Sequence, residues 1–158
     1  MNNHAYDILV EGCSLMDDYW LASGTMLGLY RDGDLIEWDT DLDVETTEIV
    51  DLQRFYNAGF KLFRKMESDR IYQHALIKND VIFDIYYFYP DGDILFNLND
   101  FGRAEQPYDL FFPRGEFEWR GQKWQVPNNI EKYLEIRYTW WETPQPKIAW
   151  GLQANHIR

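Results

Sequence analysis

Asp39, Asp41 and Asp43 stand at alternate positions in Trp38-Asp39-Thr40-Asp41-Leu42-Asp43-Val44, a short way after Ser23-Gly24-Thr25. In an extended chain alternate side chains point to one face, about 6.6 Å apart along the strand, so the three acids are expected to share a face. Two such charges brought to about 4 Å repel by about 4 kcal/mol at an effective dielectric of 20, and a chain that clusters them needs a cation or a proton there. Hard oxygen ligands of this kind favour Mg²⁺ or Mn²⁺. The run Met26 to Arg31 after Ser23-Gly24-Thr25 reads as a short helix. A helix start presents free backbone N–H groups, and Gly24 would let a phosphate approach them closely. Together the two segments predict a metal-dependent nucleotide site, with Trp38 and Asp39 in support.

Competing readings of the acids are weighed by their flanks. An acidic run is usually a solvated loop, but Leu35, Ile36, Trp38, Leu42 and Val44 set these acids inside an apolar pattern. A calcium loop would need Gly and Glu where Val44 and Val50 stand. The D-x-D motif of nucleotide-sugar glycosyltransferases is an alternative, although the residues before Asp41 leave room for only about one βαβ-sized unit. Further along, Asp84 is the single acid in Val81-Ile82-Phe83-Asp84-Ile85-Tyr86. A buried carboxylate must be paired or coordinate a metal, so Asp84 is either a structural ion-pair partner or a third site acid, ligating an ion or taking a proton from an attacking hydroxyl.

The elements that must position these residues follow from periodicity and turn chemistry. Helical spacing predicts a helix over Tyr6 to Tyr19, then a short buried strand Trp20-Leu21-Ala22, the helix at Met26, a turn Arg31-Asp32-Gly33-Asp34 and the acid strand. Thr47 to Ala58 reads as a helix closed by Gly59. Strands are expected at Phe60 to Phe63, Ile71 to Ile77 and Val81 to Tyr89, with Lys78-Asn79-Asp80 as a hairpin turn, followed by a turn at Pro90-Asp91-Gly92-Asp93. A second hairpin runs from Phe117 through Gly121 to Val126, Pro127-Asn128-Asn129 caps a helix from Ile130 to Tyr138, and Pro144 and Pro146 end the pattern.

Composition limits the partners. The chain of 158 residues is expected to form one domain over residues 1–158, which at this size buries roughly 70% of its unfolded surface. Aromatic residues make up 18%, with seven Trp and eleven Tyr, enough for a core and a cleft of planar side chains. A net charge of −12 argues against a nucleic-acid polymer, so an anionic nucleotide would need metal ions and a few placed cations. Cys13 is the single cysteine, and with no basic leader and no run of 18 apolar residues the chain reads as cytoplasmic, without a membrane span.

Gly24-Thr25-Met26-Leu27-Gly28-Leu29-Tyr30-Arg31 and Ile36-Glu37-Trp38-Asp39-Thr40-Asp41-Leu42-Asp43-Val44 resemble the signature of the LicD family of phosphocholine transferases and their fukutin-related relatives. Phe112-Pro113, Val126-Pro127-Asn128-Asn129, Tyr133-Leu134, Arg137-Tyr138 and Trp141 to Pro144 resemble that family's closing segment. The resemblance implies an α+β fold of the nucleotidyltransferase, DNA-polymerase-beta-like type, a mixed sheet flanked by helices. It also implies that Asp41 and Asp43 are the paired metal ligands, Asp84 the third acid, Ser23, Gly24 and Thr25 the phosphate turn, and Arg31 the arginine before the metal strand. Ser23 stands where many members have a second glycine. The implied reaction moves a phospho-alcohol from a CDP-linked donor to a saccharide hydroxyl with Mg²⁺ or Mn²⁺. Nucleotidyl transfer from an NTP, and a non-catalytic nucleotide-binding module, are the alternatives.

Overall fold

The computed structural model describes residues 3–37 and 39–144. Trp38 and Pro146 lie outside the described residues. The fold is a mixed α+β arrangement whose centre is a five-stranded sheet. In chain order the first elements are α1 (Ala5–Ser14), β1 (Trp20–Leu21), α2 (Ser23–Asp32), β2 (Asp41–Thr46), α3 (Leu52–Asn57), β3 (Lys61–Glu67), β4 (Ile71–Lys78) and β5 (Val81–Tyr87). The sheet order is β1-β2-β5-β4-β3, with β2 and β5 parallel and every other pairing antiparallel. Then come β6 (Tyr89–Asp91), β7 (Ile94–Asn99) and β8 (Gly102–Pro107), which form a second sheet. The hairpin of β9 (Gly115–Trp119) and β10 (Gln122–Val126) and the helix α4 (Ile130–Arg137) are the last elements among the described residues.

Alternation assigns the two faces of the large sheet. Leu42 and Val44 of β2, Phe83 and Ile85 of β5 and Leu76 of β4 are fully buried on one face. There α1 packs so tightly that a Cβ on Gly12 would sit 2.6 Å from the Phe83 ring. Phe55 of α3 and Phe60 close the same layer edge-to-face, with ring centroids 5.4 Å apart. The opposite face carries Asp41, Asp43 and Glu45 of β2, Asp84 and Tyr86 of β5, and Gln73 of β4, so the polar residues of three strands share one side.

Several boundaries differ from the sequence expectations for local reasons. The first helix ends at Ser14, leaving Leu15 to Tyr19 outside it. The second begins at Ser23, so Ser23-Gly24-Thr25 is its first turn and not a loop before it, and Arg31 and Asp32 belong to its last turn. The third starts only at Leu52, because the Asp51 side chain accepts the Gln53 N–H at 3.0 Å and Thr46 Oγ1 takes the Glu48 N–H in a separate turn. The acid strand begins at Asp41. Asp39 lies in the loop before it and its carboxylate accepts the Asp41 N–H at 3.3 Å, so it does not share the strand face expected of it.

The hairpin turn after β4 is as expected, with Asn79 and Asp80 both at positive φ, 52° and 62°. β3 runs to Glu67, further than its sequence suggested, since an edge strand exposed along most of its length shows no alternation. The β7–β8 hairpin has no counterpart among the expected elements.

Gly28 fixes how α2 meets the acid strand. A Cβ there would lie 2.7 Å from the Asp34 carbonyl oxygen and 3.0 Å from the Ile36 N, both backbone atoms that cannot swing aside. The chain can therefore fold back directly against the helix after Gly33, which closes it in the left-handed conformation at φ 73°. Gly28→Ala is expected to force this loop outward and to lower stability by about 1–3 kcal/mol, the usual cost of overpacking. Urea denaturation checks it: a midpoint equal to the parent's would mean that the loop yields freely.

Candidate active site

The sheet register places the predicted acids in one row. Asp43 is directly opposite Asp84 across the parallel β2–β5 pair, Asp84 opposite Ala75, and Ala75 opposite Arg64. Asp41 is one step along β2 on the same face. Asp84 is buried and accepts a hydrogen bond from Gln73 Nε2 at 2.8 Å. Its pKa is raised to about 7, first by burial and then by the Asp41 carboxylate beside it, while the Gln73 hydrogen bond and the Arg64 charge pull it back. Asp41 is also within hydrogen-bonding reach of Asp84, a contact between two carboxyl groups that holds only if a proton lies between them.

The first turn of α2 grips the acid strand through its backbone. Ala22 N–H donates to the Asp43 carbonyl at 3.0 Å, and Asp43 N–H donates to Thr25 Oγ1 at 2.8 Å. Thr25 is thus buried against β2, and its observed role is to seat the metal-ligand candidate. Ser23 has φ 46°, a conformation that glycine adopts without strain, which accounts for glycine being usual there in the resembling sequences. Its N–H donates to the Tyr133 hydroxyl at 2.9 Å and its Oγ accepts from Arg137 Nη1 at 3.0 Å. Gly24 lies between them and is buried.

Glu45, not singled out from the sequence, continues the alternation of Asp41 and Asp43 and is 2% exposed. One carboxylate oxygen accepts from Trp20 Nε1 at 2.8 Å and from the Tyr133 hydroxyl at 3.2 Å; the other pairs with Arg137. Tyr133 accepts from Ser23 N–H and Arg137 and donates to Glu45, which uses its whole hydrogen-bonding capacity. Burial opposes the Arg137 charge, but the Glu45 carboxylate together with the Tyr133 and Tyr138 side chains outweighs it and raises the guanidinium above its ordinary pKa. The signal for Glu45 was one more step of the same period.

Arg31 lies elsewhere. Eight residues separate it from Ser23, about 12 Å of helical rise, and its guanidinium is bidentate on Asp32, both contacts 2.8 Å, and touches the Trp141 carbonyl at 3.5 Å. The structure brings Arg64 and Arg137 towards the acid face instead.

Beside the acids is a cavity of about 500 Å³. Its floor is the neighbouring row of the sheet: Glu45 opposite Tyr86, Tyr86 opposite Gln73, and Gln73 opposite Met66. Ser23 and Arg137 wall it over β2, Arg64 reaches it from the acid row, and the β7–β8 hairpin forms its far side. Asp41, Asp43 and Asp84 adjoin the cavity without lining it. Among the described residues no three acid, histidine or cysteine side chains are placed to share one ion as they stand. The donor chemistry nevertheless fits a hard divalent cation, since an all-oxygen set on one face carries a like-charge contact between Asp41 and Asp84 that a cation would relieve.

The sign of the pH dependence follows. The folded protein holds a proton on Asp84 up to about pH 7, whereas the unfolded chain releases it near 3.8, so without metal this group's contribution to stability falls as pH rises through that window. Asp84→Asn is expected to flatten the fall and to be more stable than the parent at pH 8 by on the order of a few kcal/mol, and therefore to melt higher there. Thermal melts in chelator at pH 5 and pH 8 check it. A variant that melts lower at both would make Asp84 a structural partner.

The geometry can be set beside known proteins. The mouse ribitol-5-phosphate transferase FKTN is 30% identical over 151 residues, covering 89% of this chain and 32% of its own length. The human FKTN is 28% identical over the same length. The mouse ribitol 5-phosphate transferase FKRP is 26% identical over 134 residues, 76% of this chain and 27% of its own. The chain thus spans about a third of the length of these curated relatives. The profile described as LicD/FKTN/FKRP, nucleotidyltransferase domain, matches residues 17–129, from just before β1 to the cap of α4 and across all three acids. The chain therefore belongs to the LicD/FKTN/FKRP family.

Proposed function

We propose that this chain is a metal-dependent transferase domain of the nucleotidyltransferase fold that moves a phospho-alcohol from a CDP-linked donor to a hydroxyl of a glycan or its precursor. The observation that carries this is the row of Asp43 and Asp84, with Asp41 in contact with Asp84, next to a cavity walled by two arginines. The names of the relatives, both ribitol-5-phosphate transferases, support an alcohol phosphate as the transferred group. They also favour this over the D-x-D glycosyl-transfer reading.

Asp41, Asp43 and Asp84 would hold Mg²⁺ or Mn²⁺, which when bound neutralises charge developing on phosphate oxygens. The donor phosphates are placed against Arg137, Ser23 and Arg64. Among the described residues the hydrogen bonds of Arg137 use Nη1, so Nε and Nη2 have no described partner and can meet a ligand in the cavity. The acceptor hydroxyl attacks the phosphorus that bears the alcohol, a phosphodiester forms, the bond between the two phosphates breaks, and CMP departs. Asp84, the third acid, would either complete the ion's ligand set or take the proton of the attacking hydroxyl. Incubation with Mn²⁺ and a panel of CDP-ribitol, CDP-choline, NTPs and nucleotide sugars tests the reading by mass spectrometry. CMP release from a CDP-alcohol is expected; pyrophosphate release from an NTP would replace it with nucleotidyl transfer, and binding without turnover with a non-catalytic module.

Two further outcomes are expected. Millimolar Mg²⁺ or Mn²⁺ should raise the melting temperature, since binding at about 100 times the dissociation constant adds about 2.7 kcal/mol, and the double change Asp41→Asn with Asp43→Asn should abolish the response. A shift retained by the double variant places the ion elsewhere. Arg64 is exposed, so Arg64→Ala should leave folding intact while weakening CDP binding by about one to two orders of magnitude, the scale of charge-assisted hydrogen bonds. Calorimetry on Arg64→Ala and Arg31→Ala together decides which arginine meets the phosphates: a loss confined to Arg31→Ala would return that role to the end of α2.

A further inference from the structure

We infer that Phe101, at the tip of the β7–β8 hairpin, is the stacking platform of a subsite for a neutral saccharide ring, and so a specificity-determining residue for the acceptor. The inference rests on the transferase reading above and goes beyond it by naming a residue and the chemistry it recognises.

Phe101 is 90% exposed, the most exposed large apolar side chain among the described residues, yet it also lines the cavity. Lone exposed apolar residues are ordinary, and exposure by itself argues nothing. The position is what distinguishes this one. The tip is held in place: Phe101 N–H donates to Asn99 Oδ1 at 2.8 Å, and Asp100 Oδ1 accepts from the Tyr72 hydroxyl of β4 at 2.7 Å. The aromatic ring is therefore presented at the rim by an anchored turn.

Register shows what shares that wall. Asn97 is opposite Ala104, and Gln106 follows two residues later on β8, so all three project from the same face of the hairpin into the cavity. Gln106 is 8% exposed, and its buried Oε1 has no hydrogen-bond partner among the described residues. Such an acceptor carries an uncompensated desolvation cost until a donor reaches it. An aromatic face with the Asn97 amide and the Asp100 carboxylate close to it on the hairpin suits a pyranose, whose C–H face lies on the ring while its hydroxyls both donate and accept. Gln106, about 13 Å further along β8, is placed for a donor deeper in the cavity. Asp100 at the same rim repels an anionic group, which directs the phosphates towards Arg137. That guanidinium stands over β2, two strands away from the β4 end of the floor row, about 10 Å at the usual strand spacing. A ring at the outer rim also leaves room for the remainder of a glycan to extend into solvent.

Saturation-transfer NMR on the full chain tests this with neutral methyl glycosides (galactoside, N-acetylgalactosaminide and mannoside) and, separately, with CMP. At least one glycoside should receive saturation on the protons of its C–H face. Phe101→Ala should weaken that glycoside by about tenfold, the scale of an aromatic contact, and Phe101→Trp should retain it. CMP affinity should stay within about twofold in both variants, and because the side chain is exposed their melting temperatures should match the parent's. No saturation of any glycoside in the parent would overturn the proposal. So would a loss in Phe101→Ala that falls on CMP, which would make the ring a nucleobase platform. CMP release from a CDP-alcohol on the same preparations separates the two readings: release without glycoside binding sinks the subsite alone, and absence of both release and CMP binding sinks the transferase reading itself.

Discussion

The buried pair of Glu45 and Arg137 is the interaction around which the rest of the site is arranged. Glu45 is removed from water and Arg137 largely so; each would be costly alone, and their attraction offsets that cost only because further hydrogen bonds complete the set. Trp20 from β1, Ser23 from α2 and Tyr133 from α4 supply them. One ion pair thereby ties the last described helix to the second strand and to the first turn of α2. The same turn seats Asp43 through Thr25 and Ala22, so the geometry of the acids depends on a contact that includes none of them.

Two adjacent rows of one sheet face divide the work. The row of Asp43, Asp84 and Arg64 concentrates negative charge against a cation, and the row of Glu45, Tyr86 and Gln73 forms a polar floor on which a ligand can rest. Successive rows on one face are about 6.6 Å apart, so a group lying on the floor comes close to the acids without displacing them. Gln73 belongs to the floor and also hydrogen-bonds Asp84, which couples the two. A parallel pairing of β2 and β5 is what sets Asp43 opposite Asp84, and that pairing requires the whole crossover from α3 through β4.

The acid cluster accepts a local cost. Asp84 is buried with the half-buried Asp41 beside it, and the rise in the Asp84 pKa comes first from that burial and then from the neighbouring charge. A fold selected for stability alone would place apolar side chains there, as it does on the opposite face of the same strands. Binding a cation or protonating the pair removes the penalty, so this is the place where the sheet is most sensitive to its surroundings.

The sequence by itself determined the local features: the alternation that puts Asp41 and Asp43 on one face, the Asn79-Asp80 turn, the Asn129 cap and the hairpin around Gly121. Each rests on contacts within a few residues, and short-range stereochemistry is legible in a string of letters. It also carried the family, through the spacing of the glycine turn and the acids. It misplaced the start of α3, where an Asp side chain captured a backbone N–H, and assigned Asp39 to a strand that begins two residues later. Tertiary structure alone decided that Arg137 and Arg64 face the cavity, that Glu45 is buried in an ion pair, and that the β7–β8 hairpin walls the pocket. Those outcomes depend on partners separated by as many as 114 residues, as Ser23 and Arg137 are, and charge and period in one segment do not specify which distant segment will come to meet it.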